Sequence, residues 1–284
     1  MYTPLVSVII PTFNSEKFIG ECLNSVISQT YKRIEIIIID NGSTDNTERE
    51  VDKFSGCGFR IIKTTASMLN SPAAARNKGI QSASGELIAF LDSDDRWHKN
   101  KLEEQIPYFE VDPELIFVYS MSITTGEAGF LSEYYELLPL PFRAARCRDE
   151  LISIGNTIPL SSVVTRTDAL KRAGGFDEDP ELKIEDYDLW LRLSESGNFR
   201  FIPAVHVYYR IHPHQFSSDW QTRQERIRYL AKKRNLDLPV YRYIRKRGFL
   251  FLLIRNTVHL SCYLFFSGLN SFKRIIRKLG KKLG

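Results

Sequence analysis

Three acids, Asp92, Asp94 and Asp95, stand within four residues directly behind the apolar run at 87–91. Two carboxylates separated by one residue can present oxygens to a single hard cation, and Mg²⁺ or Mn²⁺ prefers such ligands and commonly bridges substrate phosphates. The plainer reading is an acidic cap for a helix beginning near Lys99. Mutual repulsion among three clustered acids favours the cation. A second acidic group, Glu185-Asp186-Tyr187-Asp188, opens an apolar-periodic stretch. Acids are common in a first helical turn. The chemical reading is a general base, kept ionised by the helix N-terminus and ready to take a proton from an attacking hydroxyl. Asp40 can accept a hydrogen bond from a base or ribose, or simply close the Asp-Asn-Gly turn that its neighbours favour. Arg210, His212 and Ser217 follow a later strand-like run. Arg and Ser can bind diphosphate oxygens and His can ligate a metal, with a surface loop as the alternative. Arg76, in Ala73-Ala-Ala-Arg-Asn77, meets either a nucleotide base or a nearby acid.

These residues act together only if the chain gathers them. Residues 5–10, 34–39 and 87–91 are continuous apolar runs, and 59–63 is a weaker one. Between the first two, Phe18, Ile19, Cys22, Leu23, Val26 and Ile27 recur at helical spacing, with Ser15 as a candidate cap. Ser71-Pro72 places a cap and an N1 proline before an Ala-rich helix to about Ala83. Strand and helix in alternation predict an α/β fold with a mostly parallel sheet and helices on both faces. Ligands of such sheets bind beyond the carboxyl ends of the strands. Pro11-Thr12-Phe13-Asn14, Asp40 and Asp92-Ser93-Asp94-Asp95 all fall at such ends. Further on, the pattern predicts a strand at 116–119, a short helix opening at Thr167 or Asp168 and ending at Gly174-Gly175, a helix at 185–197, and a strand at 201–210. Beyond about residue 223 it is helical and basic. Residues 1–222 read as the catalytic domain and 223–284 as a helical, basic extension.

The chain has 284 residues, 43% hydrophobic and 26% charged, which suits one α/β domain with an extension. Cys22, Cys57, Cys147 and Cys262 show no metal or redox spacing, so a reducing compartment is expected. The stretch Met1-Tyr-Thr-Pro-Leu-Val-Ser7 does not read as a secretory signal. The net charge of +5 hides an asymmetry. From Leu238 onward there are eleven Lys or Arg and no Asp or Glu, leaving 28 basic against 34 acidic residues before it. An acidic body with one basic tail points to an anionic surface. Residues 248–269 are apolar, but Arg255, Asn256 and His259 interrupt them, and a central Arg costs about 2.5–3.5 kcal/mol on insertion scales. Leu269, Phe272, Ile275, Ile276, Leu279 and Leu283 share a helical arc of roughly 120°, with Lys273, Arg274, Arg277, Lys278, Lys281 and Lys282 on the rest. That is the pattern of an in-plane helix on anionic lipid, a solvated surface helix being the alternative. No nucleic-acid module accompanies the charge. The expected location is cytoplasmic, peripheral on the inner face of a membrane.

Several stretches, taken in order, resemble the family 2 glycosyltransferases of the GT-A fold. They are Val8-Ile-Ile-Pro-Thr-Phe-Asn14, Ile39-Asp-Asn-Gly-Ser-Thr-Asp45, Ala75-Arg-Asn-Lys-Gly79, Phe90-Leu-Asp-Ser-Asp-Asp95 with Trp97 and Lys101-Leu-Glu103, Gly175-Phe-Asp177, Glu185-Asp-Tyr-Asp-Leu-Trp-Leu-Arg192, and Tyr209-Arg-Ile-His212 with Ser217. The resemblance covers about the first 220 residues. It implies an inverting transfer of a sugar from a nucleotide-diphosphate donor, a UDP-sugar first of all, to a hydroxyl of a glycan or lipid-linked glycan, assisted by Mn²⁺ or Mg²⁺. Pro11, Thr12, Phe13, Asp40 and Arg76 would hold the nucleotide with Asp92 and Ser93. Asp94, with Asp92 and His212, would hold the metal. Arg210, His212 and Ser217 would hold the diphosphate. Asp186 would be the base, supported by Glu185. Two other readings compete. A nucleotidyltransferase would need a Gly-rich, basic phosphate loop, which Pro11-Thr12-Phe13-Asn14 lacks. A non-catalytic sugar-nucleotide-binding scaffold on a membrane would not need Asp94 and Asp186.

Overall fold

The computed structural model describes residues 3–57, 60–63, 71–126, 147–212 and 220–236. In chain order the elements are β1 (Val6–Thr12), α1 (Ile19–Ile27), β2 (Ile34–Asp40), α2 (Thr47–Asp52), β3 (Arg60–Lys63), α3 (Pro72–Ser82), β4 (Leu87–Phe90), β5 (Arg96–Trp97), α4 (Lys101–Gln105), α5 (Pro107–Val111), β6 (Leu115–Gly126), α6 (Cys147–Ile154), β7 (Val164–Arg166), α7 (Thr167–Arg172), α8 (Glu185–Leu193), β8 (Asn198–Ile211) and α9 (Trp220–Arg234).

The strands form one sheet in the order β3-β2-β1-β4-β7-β6-β8-β5. β1 runs parallel to β2 and β4, β2 to β3, and β6 to β8. Only β7 and β5 run against their neighbours. Side chains alternate across a strand, and both faces here are covered. Ile9 and Phe90 enter one core with Phe117, Trp190 and Leu230. Val8 and Ile10 enter the other with Leu23, Leu102 and Val207. Burial on both faces is why the first strands read as unbroken apolar runs. α3 lies close on the sheet at Gly79, where a Cβ would come 2.5 Å from Ile9 Cγ2.

The mostly parallel sheet with helices on both faces is as expected. Ser71 caps α3 by accepting the Ala74 N–H at 3.2 Å, with Pro72 behind it. Ser15 does not cap α1. That helix follows Phe18 without a side-chain cap. The Ser15 hydroxyl instead donates to the Phe13 carbonyl and meets Ser93 Oγ at 2.8 Å. The later strands are longer than periodicity suggested, 12 residues in β6 and 14 in β8, because each is the other's partner along its length. Conversely α8 stops at Leu193. Ser217, Cys262 and the basic and apolar segments from residue 238 onward lie outside the described residues. Among the described residues no helix is long and apolar enough to cross a membrane.

Candidate active site

The parallel register brings the first two clusters together. Thr12 and Asp40 are Cα partners at the ends of β1 and β2. Beside them, Leu91 donates to Ile9 O, so residues 92–95 leave the sheet at the same edge. Asp40 Oδ1 accepts from the backbone N and Oγ of Ser43, at 3.0 and 2.7 Å, closing the turn over Gly42 with its φ of 83°. Pro11 is part-exposed, and Phe13, 56% exposed, stands at the mouth of this edge. The hydroxyls of Thr12 and Ser93 are bonded to protein: Thr12 donates to Ile10 O, and Ser93 pairs with Ser15. Both side chains shape the edge from beneath.

The acidic loop is crowded. Asp95 is buried, and burial first, then Asp94 and Asp92, pushes its carboxyl well up from the ordinary range. Ser161 Oγ donates to Asp95 Oδ2 at 2.6 Å and accepts from the Asp92 N–H at 3.1 Å. Asp95 Oδ1 accepts the Arg210 N–H at 3.0 Å. Asp95 is therefore an internal tie between the loop and the end of β8. Asp94 is more open. Burial and then Asp92 raise its pKa, and His212 Nε2 stands 3.0 Å from its Oδ2. Arg210 folds over the same loop, with Nε on the Asp94 carbonyl at 3.0 Å, one terminal nitrogen on Glu21 at 2.8 Å, and the guanidinium 5.0 Å above the Phe18 ring.

Arg76 joins this edge to the second acidic group. Its buried guanidinium donates to Asp92 Oδ1 at 2.8 Å and to Glu185 Oε1 at 2.6 Å. The pairing of Arg76 with nearby acids, one of its two readings, is made here. One fork thus spans the loop after β4 and the first turn of α8, and its bond to Glu185 joins residues 109 apart in sequence.

Asp186 follows Glu185. It keeps part of its surface open, yet burial, then the Glu185 charge, pushes its carboxyl up to about 6. The backbone N–H of Tyr187, the Arg76 charge and the Asn156 amide act the other way. A carboxyl near 6 is still mostly ionised at neutral pH, as a base at a helix N-terminus must be. Two residues on, Asp188 is fully buried and is not available to a ligand. It accepts from Arg192 Nε at 2.8 Å and from Arg234 at 2.6 and 3.0 Å. Burying a carboxylate is tolerable only with such partners, so α9 is fastened to the helix that carries Asp186.

The loop into α8 is also fixed. Gly174 and Gly175 have φ of 77° and 71°. The Asn77 amide accepts the Phe176 N–H and donates to the Phe176 carbonyl, each at 2.8 Å, and donates to Glu178 at 2.7 Å. A Cβ on Gly175 would come 2.5 Å from Asn77 Oδ1. Gly175→Ala should therefore destabilise the fold by about 1–3 kcal/mol, through left-handed backbone strain and displacement of that amide. Thermal melting checks this, and an unchanged midpoint would show that the loop has slack.

Two acidic groups, a bridging arginine and a His–Asp pair thus meet at the carboxyl edge of a parallel sheet. Glycosyl transferase family 2 matches residues 7–164, and Glycosyl transferase family group 2 matches residues 87–276. The chain belongs to glycosyl transferase family 2. It is a glycosyltransferase. It is similar to the UDP-Glc:alpha-D-GlcNAc-diphosphoundecaprenol beta-1,3-glucosyltransferase WfaP of Escherichia coli, 33% identical over 217 residues, which cover 76% of this chain and 80% of that one. The fold is that of S. aureus TarS 1-349 in complex with UDP-GlcNAc, with a TM-score of 0.64 at 21% identity over 84% of this chain and 69% of that one. The chain spans 41% of the longer TarS structure. It is also the fold of the mannosyltransferase PcManGT from Pyrobaculum calidifontis in complex with GDP-Man and Mn2+, with a TM-score of 0.64 at 17% identity over 100% of this chain and 82% of that one.

Several members of the site carried no readable signal in the sequence. Ser161, Asn156, Glu21 and Arg234 look like ordinary polar residues until the fold brings them to Asp95, Asp186, Arg210 and Asp188. The inward role of Asp95 is hidden within the same three acids that mark the loop.

Proposed function

We propose that this enzyme moves a sugar from a nucleoside-diphosphate sugar, a UDP-sugar, to a hydroxyl of a lipid-linked glycan with inversion at the anomeric carbon, Asp186 acting as the base. The observation that carries the reading is Asp186 itself. Its carboxyl is held near 6, close to the pH at which a base must both exist ionised and accept a proton. It is tied through Glu185 and Arg76 to the acidic loop where a donor diphosphate would lie. The donor preference follows the UDP-sugar chemistry in the names of WfaP and the TarS complex, and the lipid-linked acceptor follows the name of WfaP.

The acidic loop suits a divalent cation. The Asp92 charge helps raise the pKa of Asp94, a repulsion that a cation would relieve, and carboxylate oxygens match Mn²⁺ or Mg²⁺ chemistry. Among the described residues no three side chains already form a cage. Such cations are commonly held by one or two carboxylates together with substrate phosphates. Asp94, with Asp92 and His212, would hold the ion, which when bound offsets charge on the departing diphosphate. The chain's own groups do the rest. Pro11, Phe13 and Asp40 border the base and ribose. Arg210 and His212, with Ser217 by the family resemblance, would hold the diphosphate. Arg76 keeps Asp92 and Glu185 in fixed relation. Asp186 takes the proton as the acceptor oxygen bonds to the anomeric carbon and the diphosphate leaves. A panel of nucleotide sugars with Mn²⁺ or Mg²⁺ tests the assignment. Acceptor-dependent release of UDP is expected, and release only of other nucleotides would replace the donor.

The basic tail would hold the enzyme peripherally on the cytoplasmic face of an anionic membrane, near such acceptors. Six basic residues on one arc, each contributing about 1 kcal/mol near the surface, rival the apolar burial. Removing residues 269–284 should release the protein from anionic vesicles without abolishing donor hydrolysis, and salt should weaken binding of the full chain. If the full chain ignores anionic vesicles at low salt, the arc is a solvated helix face.

A further inference from the structure

Asp186 has a neighbour that its own helix does not supply. α6 ends at Ile154, and Gly155, with a φ of 93°, turns the chain out of the helix while its N–H returns to Leu151 O at 2.9 Å. The next residue, Asn156, reaches across to α8, and its Nδ2 donates to Asp186 Oδ2 at 2.8 Å. The amide cannot turn round without loss. Its Oδ1 already accepts the Ile158 N–H at 3.0 Å, which leaves the NH₂ end facing the carboxylate. The other oxygen, Oδ1 of Asp186, accepts the N–H of Tyr187 at 2.7 Å. Both oxygens are therefore oriented, one by α8 and one by the turn after α6. The two helices are fixed to each other by the Tyr187 hydroxyl on Leu151 O at 2.7 Å and by Arg148 on Leu191 O at 3.1 Å.

We infer that Asn156 is a positioning residue for the base, aiming the Asp186 carboxylate and favouring its ionised form. The inference rests on Asp186 being the base. A hydrogen bond donated to the charged form of an acid favours that form. The charged groups that face Asp186 are Glu185 on its own helix, which opposes ionisation, and Arg76 from α3, which supports it. What meets it from the α6 side is a neutral amide. That amide holds the carboxylate without fixing a cation against it, so the oxygen can still accept a proton. Asn156 thus partly offsets the burial and the Glu185 charge.

The experiment is a pH profile of kcat/KM for the full-length wild type, Asn156→Asp and Asn156→Ala. Asn156→Asp is isosteric and keeps an acceptor for the Ile158 N–H, so the turn survives, while the donor becomes an oxygen. The wild type should lose activity as pH falls through about 6. Asn156→Ala should move that limb upward by about one pH unit, the size expected for losing a hydrogen bond to a charged group. Asn156→Asp should move it further, by adding a second anion. At pH 7 Asn156→Ala should lose about twofold in kcat/KM and Asn156→Asp more, with most of the loss recovered at higher pH. UDP affinity with Mn²⁺, measured by calorimetry, should stay near wild type and shows that the fold is intact. If the limb stays in place in Asn156→Asp while the plateau falls, Asn156 only shapes the loop and the inference is overturned. If the wild type has no acidic limb, or Asp186→Asn has full activity, the base assignment fails instead.

Discussion

Asp186→Asn is expected to cut sugar transfer by about 10²–10⁴-fold, the usual contribution of a positioned base, while leaving the affinity for nucleoside diphosphate with cation near wild type. Asn keeps the shape of the side chain, and its one oxygen can still accept the Tyr187 N–H, while its NH₂ then faces the Asn156 NH₂. The charge that receives the proton is what disappears. Stability separates this loss from unfolding. A carboxyl whose folded value is raised from near 4 to about 6 binds its proton more tightly in the native state. Its contribution to stability is fully present below about pH 4 and lost as pH rises through 6. At pH 8 the ionised group is a burden, so the stability of Asp186→Asn relative to wild type should rise by about 1–2 kcal/mol between pH 4 and pH 8. The figure is below the full shift because Asp186 is part-exposed. Full transfer by the variant would remove Asp186 from the chemistry. Inactivity traced wholly to lost nucleotide binding would do the same.

Asp94→Asn should act on the other half of the reaction. Asp94 sits under His212 Nε2, and its charge is already raised in energy by burial and by Asp92. Removing it leaves the loop geometry, which is fixed by Asp95, Ser161 and Arg210. Turnover should fall by on the order of 10²-fold, as when a preorganised electrostatic group is removed. The Mn²⁺ concentration for half-maximal activity should rise at least 10–100-fold, the span that even outer-shell changes produce. A titration of Mn²⁺ against UDP release measures both. Unchanged turnover with unchanged metal dependence would take Asp94 out of the ligand set. The contrast between the two variants is informative: Asp186→Asn should spare donor binding and Asp94→Asn should not.

Much of the donor edge was legible because its signals are local. β1, β2 and β4 are buried on both faces and so read as apolar runs, and the polar residues that follow them necessarily emerge at one edge. The Ser71-Pro72 start of α3 was legible for the same reason, since cap and proline act within one turn. Ser15 misled because its hydroxyl answers to Ser93, 78 residues away. The second half was harder. β5 is a two-residue strand that exists only because β8 lies beside it. β6 and β8 are parallel partners separated in the chain by β7 and the helices α6, α7 and α8, so neither strand's length is set by its own sequence. In Glu185-Asp186-Tyr187-Asp188 the three acids look alike. Arg76 claims Glu185, Asn156 meets Asp186, and Arg192 and Arg234 neutralise Asp188. Those partners, most of them far away in the chain, are what distinguish the three acids.

The measurement that reaches the central claim most directly is the anomeric configuration of the product, read by proton NMR after transfer from an α-linked UDP-sugar to a lipid-diphosphate-linked GlcNAc acceptor. One displacement, with Asp186 taking the acceptor proton, inverts that centre, so the new linkage should be β. A product with the α configuration retained would contradict the single displacement and the role of Asp186 in it.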